Sequence, residues 1–406
     1  MGSKTKATPK RSGGAGLSWR SIALVALIGA TLATLAMRPA LRSFVVGHVS
    51  VLVSGSQGSA DALDPDMYDY EGHMADRKIF EVVALPGKGK GAIAVRDIKR
   101  GELVLREKPL LVAPDEETPR AWVNELFFNW TYSPSKRDTF FNLTHSHLWL
   151  DDDPETGLPP KVNIDPPTQT PDERFWLTEA ILTTNVAAIT LNDAPLRGLF
   201  PRFSRVNHVC PGANNVNYEW REEEGEMRIY AVRDIKKGTE LGHSYIGQVG
   251  PRAARIKHLE ETYGFTCNCK FCTLDAEATE QRDAWAAEWK ALETDFDARS
   301  GNGTLPGKEA IRIVRDLWEL SLKLDYTTDR ARFSEEAGLV AIAHGDKKAA
   351  VQWLKLAHKY FTIEVGVDSV DAERVEELLD NPTKADDWAS KERLTLDGPD
   401  KAWFDT

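Results

Sequence analysis

The sequence predicts an α+β protein in which short antiparallel β-hairpins come first and an α-helical region follows. The first observation is an eight-residue sequence that occurs twice, at Ala94–Gly101 and Ala231–Gly238, with seven of eight residues identical. Each copy runs from strand-like sequence through a polar turn, closed by glycine, into more strand-like sequence, which predicts a hairpin. The second observation is the helical spacing of apolar residues almost throughout from Glu280 onward. We interpret the two copies as similar turn chemistry rather than as repeat architecture.

The β region is predicted to begin near Lys78. Strands are expected over residues 80–84 and 92–95, separated by a glycine-rich turn, and strand-like sequence follows each copy of the repeat at 103–105 and 241–246. Between the copies, residues 122–142 and 171–188 have helical apolar spacing. They are separated by a segment rich in Pro and Asp, residues 151–172, that predicts an exposed loop.

The helical region is divided by its own pattern. Four segments keep an amphipathic period: 284–298, 308–324, 331–343 and 347–365. The sequence His344-Gly345-Asp346 is a stop-and-cap signal between the last two. We expect helical hairpins that pack on the β region as a lid, with an independent module that recruits partner proteins as the alternative.

Composition limits the classes of function. The chain has 406 residues, 42% hydrophobic and 28% charged, which is typical of a globular protein with a large and a smaller domain. Its net charge is −11, and residues 1–60 carry seven Lys or Arg and no Asp or Glu, so the remainder carries −18. Such an acidic body would attract basic substrates, and we expect no direct binding to nucleic acid, whose phosphates require basic side chains.

The N-terminal segment, residues 1–60, contains a run of seventeen residues without a charge, Ser21 to Met37. This length is at the short end of what crosses about 30 Å of hydrocarbon. We expect a membrane anchor and a membrane-associated protein. A cleavable secretory signal and a mitochondrial presequence remain open alternatives.

The chain has only four cysteines, and three of them form a C-x-C-x-x-C knuckle at Cys267, Cys269 and Cys272. Tetrahedral zinc needs a fourth sulfur, and Cys210 is the only thiol left to provide it. The alternative is two disulfides, but a disulfide within the knuckle would be strained. The sequence therefore predicts one structural zinc that holds the knuckle to the loop of Cys210.

Three further motifs stand in order with the knuckle. They are Gly89-Lys90-Gly91, the run Arg205 to Pro211 with its Asn207-His208 pair, and Gly238 to Ile246 with its Ser244-Tyr245 pair. Together the four resemble the signature set of SET-domain protein lysine methyltransferases, over about Phe80 to Leu274. The residues that narrow the resemblance to the fungal and MYND-associated split SET class are Arg252, Arg255, Leu259, Tyr263 and Phe265. The MYND finger is lacking, because the insertion from Arg106 to Arg174 contains no cysteine.

The resemblance implies a SET β-clip fold of short antiparallel hairpins with a post-SET zinc knuckle. The expected domains are a SET domain over 78–250 with a helical insertion over 106–188, a post-SET zinc-binding segment over 251–275, and an α-helical region over 280–406.

The resemblance also implies a site for S-adenosylmethionine. Tyr245 would be the catalytic residue beside the transferred methyl group, and Tyr263 and Phe265 would form the channel for the substrate lysine. The residues expected to contact the cofactor are Gly89, Lys90, Gly91, Asn185, Asn207, His208, Tyr245 and Phe265.

The implied function is methyl transfer from S-adenosylmethionine to a lysine side chain of a protein substrate. Because the reaction is an in-line displacement, the protein must mainly align the amine with the methyl group. The sequence departs from the family pattern at Val209, at the segment after Cys210, and at Gly242 and His243. These departures flank the expected cofactor site, so the alternative is a catalytically inactive SET-fold scaffold that recruits partners through its helices.

Overall fold

The structure, a computed structural model, describes residues 79–114, 134–145, 170–247 and 249–406. The N-terminal segment 1–60 and its hydrophobic run lie outside the described residues.

The β elements are short and mostly antiparallel. The strands are β1 (Phe80–Leu85), β2 (Gly89–Ala94), β3 (Leu103–Glu107), β4 (Leu111–Pro114), β5 (Val186–Leu191), β6 (Ala194–Leu199), β7 (Asn207–His208), β8 (Val216–Arg221), β9 (Glu226–Ala231) and β10 (Gly242–His243). Strands β1 and β2 form one hairpin, the orders β3-β9-β8 and β4-β6-β5 form two three-stranded sheets, and β7 pairs with β10. The predicted α+β class and its β-hairpins are confirmed.

The two copies of the repeated sequence pair with each other. Ile98 and Ile235, at equivalent places in the two copies, exchange backbone hydrogen bonds of 2.8 and 2.9 Å. Asp97 accepts from the backbone N–H of Lys237 at 2.9 Å, and Asp234 accepts from that of Arg100 at 3.0 Å. The sequence therefore occurs twice because each copy hydrogen-bonds to the turn of the other in the same way, about a local two-fold axis.

The described helices are α1 (Pro134–Phe141), α2 (Pro171–Asn185), α3 (Arg252–Tyr263), α4 (Ala276–Gly301), α5 (Gly307–Lys323), α6 (Arg330–Ala343), α7 (Lys347–Val365) and α8 (Val370–Asp380). Side-chain caps define several starts. Thr170 and Glu173 form a capping box at α2, and Asp275, Asp346 and Ser369 cap α4, α7 and α8.

Helices α4 to α8 enclose a separate aromatic-rich core. Trp318 and Trp353 are fully buried in it, and Trp403 stacks on Trp318 with ring centroids 4.9 Å apart. Helix α7 packs against β8 and β9. Arg221 continues this contact by donating to the carbonyl oxygens of Val365 and Asp368 at 2.6 and 2.7 Å. The helical region therefore packs on the β region, and its role as a lid stays a prediction.

Several elements differ from the sequence-based predictions. Helices α3 and α8 and strands β4, β5, β6 and β8 were not predicted, and the helix expected over 171–188 ends at Asn185, where β5 follows directly. Within the strand expected at 241–246 only Gly242 and His243 form a ladder. Helix α7 has the predicted bounds.

The predicted membrane association is corrected. Among the residues that the structure describes, no helix combines the length and the apolar character needed to cross a bilayer. The longest of them, α4, carries charged residues along its whole length. The run from Ser21 to Met37, on which the prediction rested, lies outside the described residues, so nothing in the structure supports a membrane segment.

Candidate active site and metal centre

The four cysteines converge on one point. Their sulfur atoms all lie within 4.8 Å of one another, and none forms a disulfide. The Cys210 sulfur is 3.9 Å from that of Cys267 and 3.4 Å from that of Cys272. Four sulfurs at about 2.3 Å from a tetrahedral ion would be about 3.8 Å apart. The donor set and its spacing therefore fit zinc, as the sequence predicted.

Helix α3 positions the knuckle. Its buried Leu259 packs with the cysteines, and Gly264 ends the helix in the left-handed conformation, at a φ of 74°. A residue with a side chain would be strained at this φ, whereas glycine turns the chain directly into the knuckle. Cys210 comes from the loop after β7, so the metal site joins segments that are far apart in sequence.

Buried Arg255 lies against the sulfur atoms. It is 5% exposed, and its Nη1 donates to the carbonyl of Gly250. Burial lowers its pKa, but Cys210 and Cys272 raise the pKa more, so that the net shift is upward. Four thiolates around Zn²⁺ carry a net charge of −2, and a buried guanidinium offsets half of it. Arg255 is thus suited to a charged thiolate site rather than to four neutral thiols.

His208 connects the metal site to the predicted cofactor site. Its Nδ1 accepts the backbone N–H of Tyr245 at 3.0 Å, and its Nε2 is 3.6 Å from the Cys210 sulfur. Because Nδ1 accepts, a neutral ring carries its proton on Nε2, facing the sulfur. Burial lowers the pKa of His208 to about 4, so the ring is neutral near pH 7.

The parallel ladder of β7 and β10 brings the motifs together. Asn207 pairs with Gly242, and His208 pairs with His243. On the other side, a Cβ added to Gly91 would lie 2.8 Å from the Asn207 Nδ2 and would also overlap Leu85. A side chain at position 91 would therefore displace the Leu85 side chain and the Asn207 amide. The structure thus places the glycine turn, the Asn207-His208 pair and Tyr245 side by side.

In the glycine turn, residues 86–91, the backbone conformation of Gly89 also favours glycine. Its φ is +68°, and nothing lies within 4 Å of where its Cβ would be. Glycine is thus needed at this position for its conformation, and the neighbouring space is open. Lys90 is exposed beside it. The turn therefore leaves backbone accessible next to Asn207, as a cofactor site of the expected kind requires.

Tyr245 lies within a cluster of aromatic rings. Its hydroxyl donates to the Val206 carbonyl at 3.2 Å, and its ring centroid is 5.1 Å from that of Tyr263. Burial raises the pKa of Tyr245 well above its usual value, so the phenol stays protonated and acts as a hydrogen-bond donor. Phe265 lies 6.3 Å from Tyr263 and 5.9 Å from the His208 ring. Of the two predicted channel residues, Tyr263 is a direct neighbour of Tyr245, and Phe265 lies next to Tyr263 and His208.

The departures from the family pattern fit together. A Cβ on Gly242 would lie 3.0 Å from both γ carbons of Val209, so Val209 occupies the space that a side chain at position 242 would need. His243 packs among aromatic rings, 4.5 Å from Phe203 and 4.9 Å from Tyr245 between centroids. Val209 and Gly242 therefore compensate for each other sterically.

Asn185 does not share the contacts of the other predicted cofactor residues. Its side-chain amide donates to the carbonyls of Thr144 and Ile181, at 2.5 and 2.7 Å, which ties the end of α2 to the segment after α1. Its backbone carbonyl accepts from Ser204 at 3.0 Å. Its amide N–H groups are therefore engaged in structural contacts, and its contact with a cofactor stays a prediction.

Two functional candidates were missed by sequence reasoning. The carboxylate of Glu240 accepts from Asn207 Nδ2 at 2.9 Å and from Lys88 Nζ at 2.8 Å. Lys88 lies in the glycine turn, which was a signal that could have been used. Glu240 also lies within a quoted motif, Gly238 to Ile246, but its contact with Asn207 depends on the fold.

Comparison with known proteins identifies the domain that carries these residues. The family model described as the SET domain matches residues 89–246. These residues are a SET domain. The predicted SET domain is thereby confirmed, and it holds Gly89-Lys90-Gly91, the Asn207-His208 pair and Tyr245.

Curated relatives extend the similarity beyond the SET domain. A histone-lysine N-methyltransferase of Schizosaccharomyces pombe, set5, is 24% identical over 313 residues, which cover 76% of this chain and 85% of that protein. The N-lysine methyltransferase SMYD2-A of Danio rerio is 36% identical over 101 residues, 24% of this chain and 22% of that protein. The chain thus spans most of the first relative and less than a quarter of the second.

Among solved structures, the SET domain of LSMT bound to lysine and AdoHcy is 14% identical, with a TM-score of 0.33. The alignment covers 78% of this chain and 89% of that one.

Proposed function

We propose that the chain is an S-adenosylmethionine-dependent protein-lysine N-methyltransferase with Tyr245 as its catalytic residue. The SET domain and the names of the curated relatives support this function. The observation that carries it is the meeting of the glycine turn, Asn207, His208 and Tyr245 at the β7–β10 ladder, beside the rings of Tyr263 and Phe265.

The residues present fit the cofactor. The exposed backbone of the glycine turn and the amide of Asn207 would hold the amino-acid end of the cofactor. The imidazole of His208 is neutral, so it would not repel the positively charged sulfonium. When bound, S-adenosylmethionine supplies an electrophilic methyl group. The protein supplies the alignment of an amine with that group, which is the main requirement of an in-line displacement.

The aromatic rings would prepare the nucleophile. A lysine amine has a solution pKa of about 10.4 and must lose a proton before it attacks. Enclosure by Tyr245, Tyr263 and Phe265 disfavours the ammonium form by removing water from it. The protonated Tyr245 hydroxyl can donate a hydrogen bond but cannot act as a strong base near pH 7. Tyr245 therefore orients groups at the reacting centre rather than removing the proton.

The metal site has a structural role in this proposal. Zinc held by Cys210, Cys267, Cys269 and Cys272 would tie the loop after Asn207-His208 to the segment that carries Tyr263 and Phe265. The cofactor side and the lysine side of the site would then be held in one arrangement.

The test is labelling of a proteome with tritiated S-adenosylmethionine by the wild type and by Tyr245→Phe. We expect label on protein lysines, identified by mass spectrometry, and a fall of about 100-fold in the variant, because a preorganised hydroxyl at the reacting centre is lost. Tyr326→Phe is the matched control, since the buried Tyr326 bonds Asp329 within the helical region. Equal labelling by wild type and Tyr245→Phe would exclude this role of Tyr245.

Calorimetric titration with S-adenosylhomocysteine separates this enzyme from the inactive scaffold. An enzyme binds the product of its cofactor, whereas a scaffold that has lost the cofactor site does not. Absence of binding by the wild type would therefore favour the scaffold.

A further inference from the structure

Glu240 is linked to two groups at the cofactor side of the site. Its Oε1 accepts from Asn207 Nδ2 at 2.9 Å, and its Oε2 accepts from Lys88 Nζ at 2.8 Å. The Glu240 and Lys88 side chains are 24% and 34% exposed, so this end of the site faces solvent. Neither Glu240 nor Lys88 belongs to the residues assigned above to catalysis or to cofactor contact.

The chemistry of a carboxylate determines the orientation of the Asn207 amide. An ionised carboxylate can only accept hydrogen bonds, so the NH₂ half of the amide must face Glu240. The amide oxygen of Asn207 is then the other branch of the same planar group, directed away from Glu240, where it can accept from another donor. Without the carboxylate, both orientations of the amide would be available.

Glu240 itself is held by the β framework. Its backbone forms a bridge with Ile93 of β2, and its carbonyl oxygen accepts from the Asn215 side chain at 2.8 Å. The next residue, Leu241, donates to the carbonyl of Ala92 at 2.8 Å. The carboxylate is therefore carried by a paired segment rather than by a free loop, as a group that orients another side chain must be.

We propose that Glu240 is a positioning residue, which holds the Asn207 amide so that its oxygen accepts from the ammonium of the amino-acid part of S-adenosylmethionine. The proposal rests on the proposed function. It makes Glu240 a determinant of cofactor specificity, because it favours ligands that carry an ammonium at this point. Lys88 supports the arrangement by holding the second carboxylate oxygen.

The experiment is a calorimetric titration of the full chain with three ligands. They are S-adenosylhomocysteine, its deaminated analogue S-adenosyl-4-thiobutyrate, and 5′-methylthioadenosine, which lacks the amino-acid part. In Glu240→Gln, we expect the Kd of S-adenosylhomocysteine to rise about tenfold, because the hydrogen bond from the ligand ammonium to the Asn207 oxygen would be weakened. The Kd values of the other two ligands should change less than about twofold.

Glu102→Gln is the matched control. Glu102 lies beside the other copy of the repeated turn, where it accepts from Arg96 and from the backbone of Lys99. We expect no change in any Kd in this variant. Retained affinity for 5′-methylthioadenosine also shows that Glu240→Gln is folded, so that a selective loss cannot be attributed to unfolding.

The outcomes separate the explanations. An equal loss for S-adenosylhomocysteine and the deaminated analogue would overturn the proposal, because the effect would not involve the ammonium. A loss for all three ligands would mean that Glu240 supports the whole pocket, and unchanged affinities would also reject a positioning role. Failure of the wild type to bind any of the three would instead overturn the proposed function.

Discussion

At the scale of single residues, His243 has an unusual place for a titratable side chain. It lies among the rings of Phe203, Tyr218 and Tyr245, and burial lowers its pKa to about 3. In the unfolded chain the same imidazole has a pKa near 6.5. Between these two values the unfolded state therefore binds more protons than the folded state, and stability must fall as the pH falls.

This linkage gives a prediction for His243→Phe. From pH 7.5 to pH 5.5, His243 should lower the free energy of unfolding of the wild type by about 1.4 kcal/mol. Phenylalanine does not titrate, so the variant should lack this part of the pH dependence. Urea unfolding at the two pH values measures the difference. Identical pH dependence in the two proteins would show that His243 is not buried in its neutral form.

The sequence predicted which residues belong to the site better than it predicted which side chains contact each other. Asn207, His208 and Tyr245 were singled out because they belong to motifs, and the structure brings them together. The steric compensation between Val209 and Gly242 could not be predicted, since it depends on the register of β7 against β10. A parallel ladder of two residues a side leaves no periodic pattern in the sequence.

At the scale of elements, α3 shows why one helix was missed. Its buried positions include Arg255 as well as Leu259, so a charged residue interrupts the apolar stripe that would have predicted it. The charge is buried because it faces the cysteine sulfurs. Helix α8 is different, because its N-cap Ser369 was a usable signal.

The knuckle after α3 gives a prediction on metal binding. Cys272→Ser should reduce the zinc content from about one ion per chain to well below one, because three sulfurs leave the tetrahedral site incomplete. Since structural zinc contributes directly to folding, the free energy of unfolding should fall by several kcal/mol, on the order expected for such a site. Elemental analysis and hydrogen exchange over residues 207–210 and 264–275 measure the two effects.

Thr273→Ala is the control for this variant. Thr273 is exposed next to the knuckle, and its hydroxyl donates to the Cys269 carbonyl. It should keep its zinc and its protection from exchange. If Cys272→Ser kept a full complement of zinc, the four-sulfur site would be refuted.

At the scale of the whole molecule, ion pairs and hydrogen bonds join the turn between α5 and α6 to the SET domain and to the knuckle. Asp325 pairs with Arg233 at 2.7 Å and with Lys270 at 2.6 Å. Buried Arg282 donates to the carbonyls of Leu324 and Pro211, at 2.7 and 3.1 Å. The helical region, the loop of Cys210 and the knuckle therefore meet at one junction.

The junction gives a prediction for Asp325→Asn. Asparagine, like aspartate, tolerates the positive φ of 51° at this position, but it lacks the charge that attracts Arg233 and Lys270. Because the Asp325 side chain is 43% exposed, we expect a loss of only about 1 kcal/mol of stability, which decreases at high salt. Chemical unfolding at low and high salt measures both.

Asp316→Asn is the control at a solvent-exposed pair. Asp316 lies 3.7 Å from Arg312 on α5, away from the junction. Its loss should change stability by less than about 0.5 kcal/mol. Equal effects of the two substitutions would show that the junction contributes no more than an ordinary surface ion pair.

The pairing of the two repeated octapeptides can in principle form between two chains as well as within one. Segments that complement each other within a chain offer the same edge to the equivalent segment of a neighbouring chain while both are still unpaired. Refolding from denaturant should consequently lose yield as protein concentration rises, through exchanged dimers in which Ala94–Gly101 of one copy closes on Ala231–Gly238 of another. Dilution during renaturation is therefore the condition that favours the monomer.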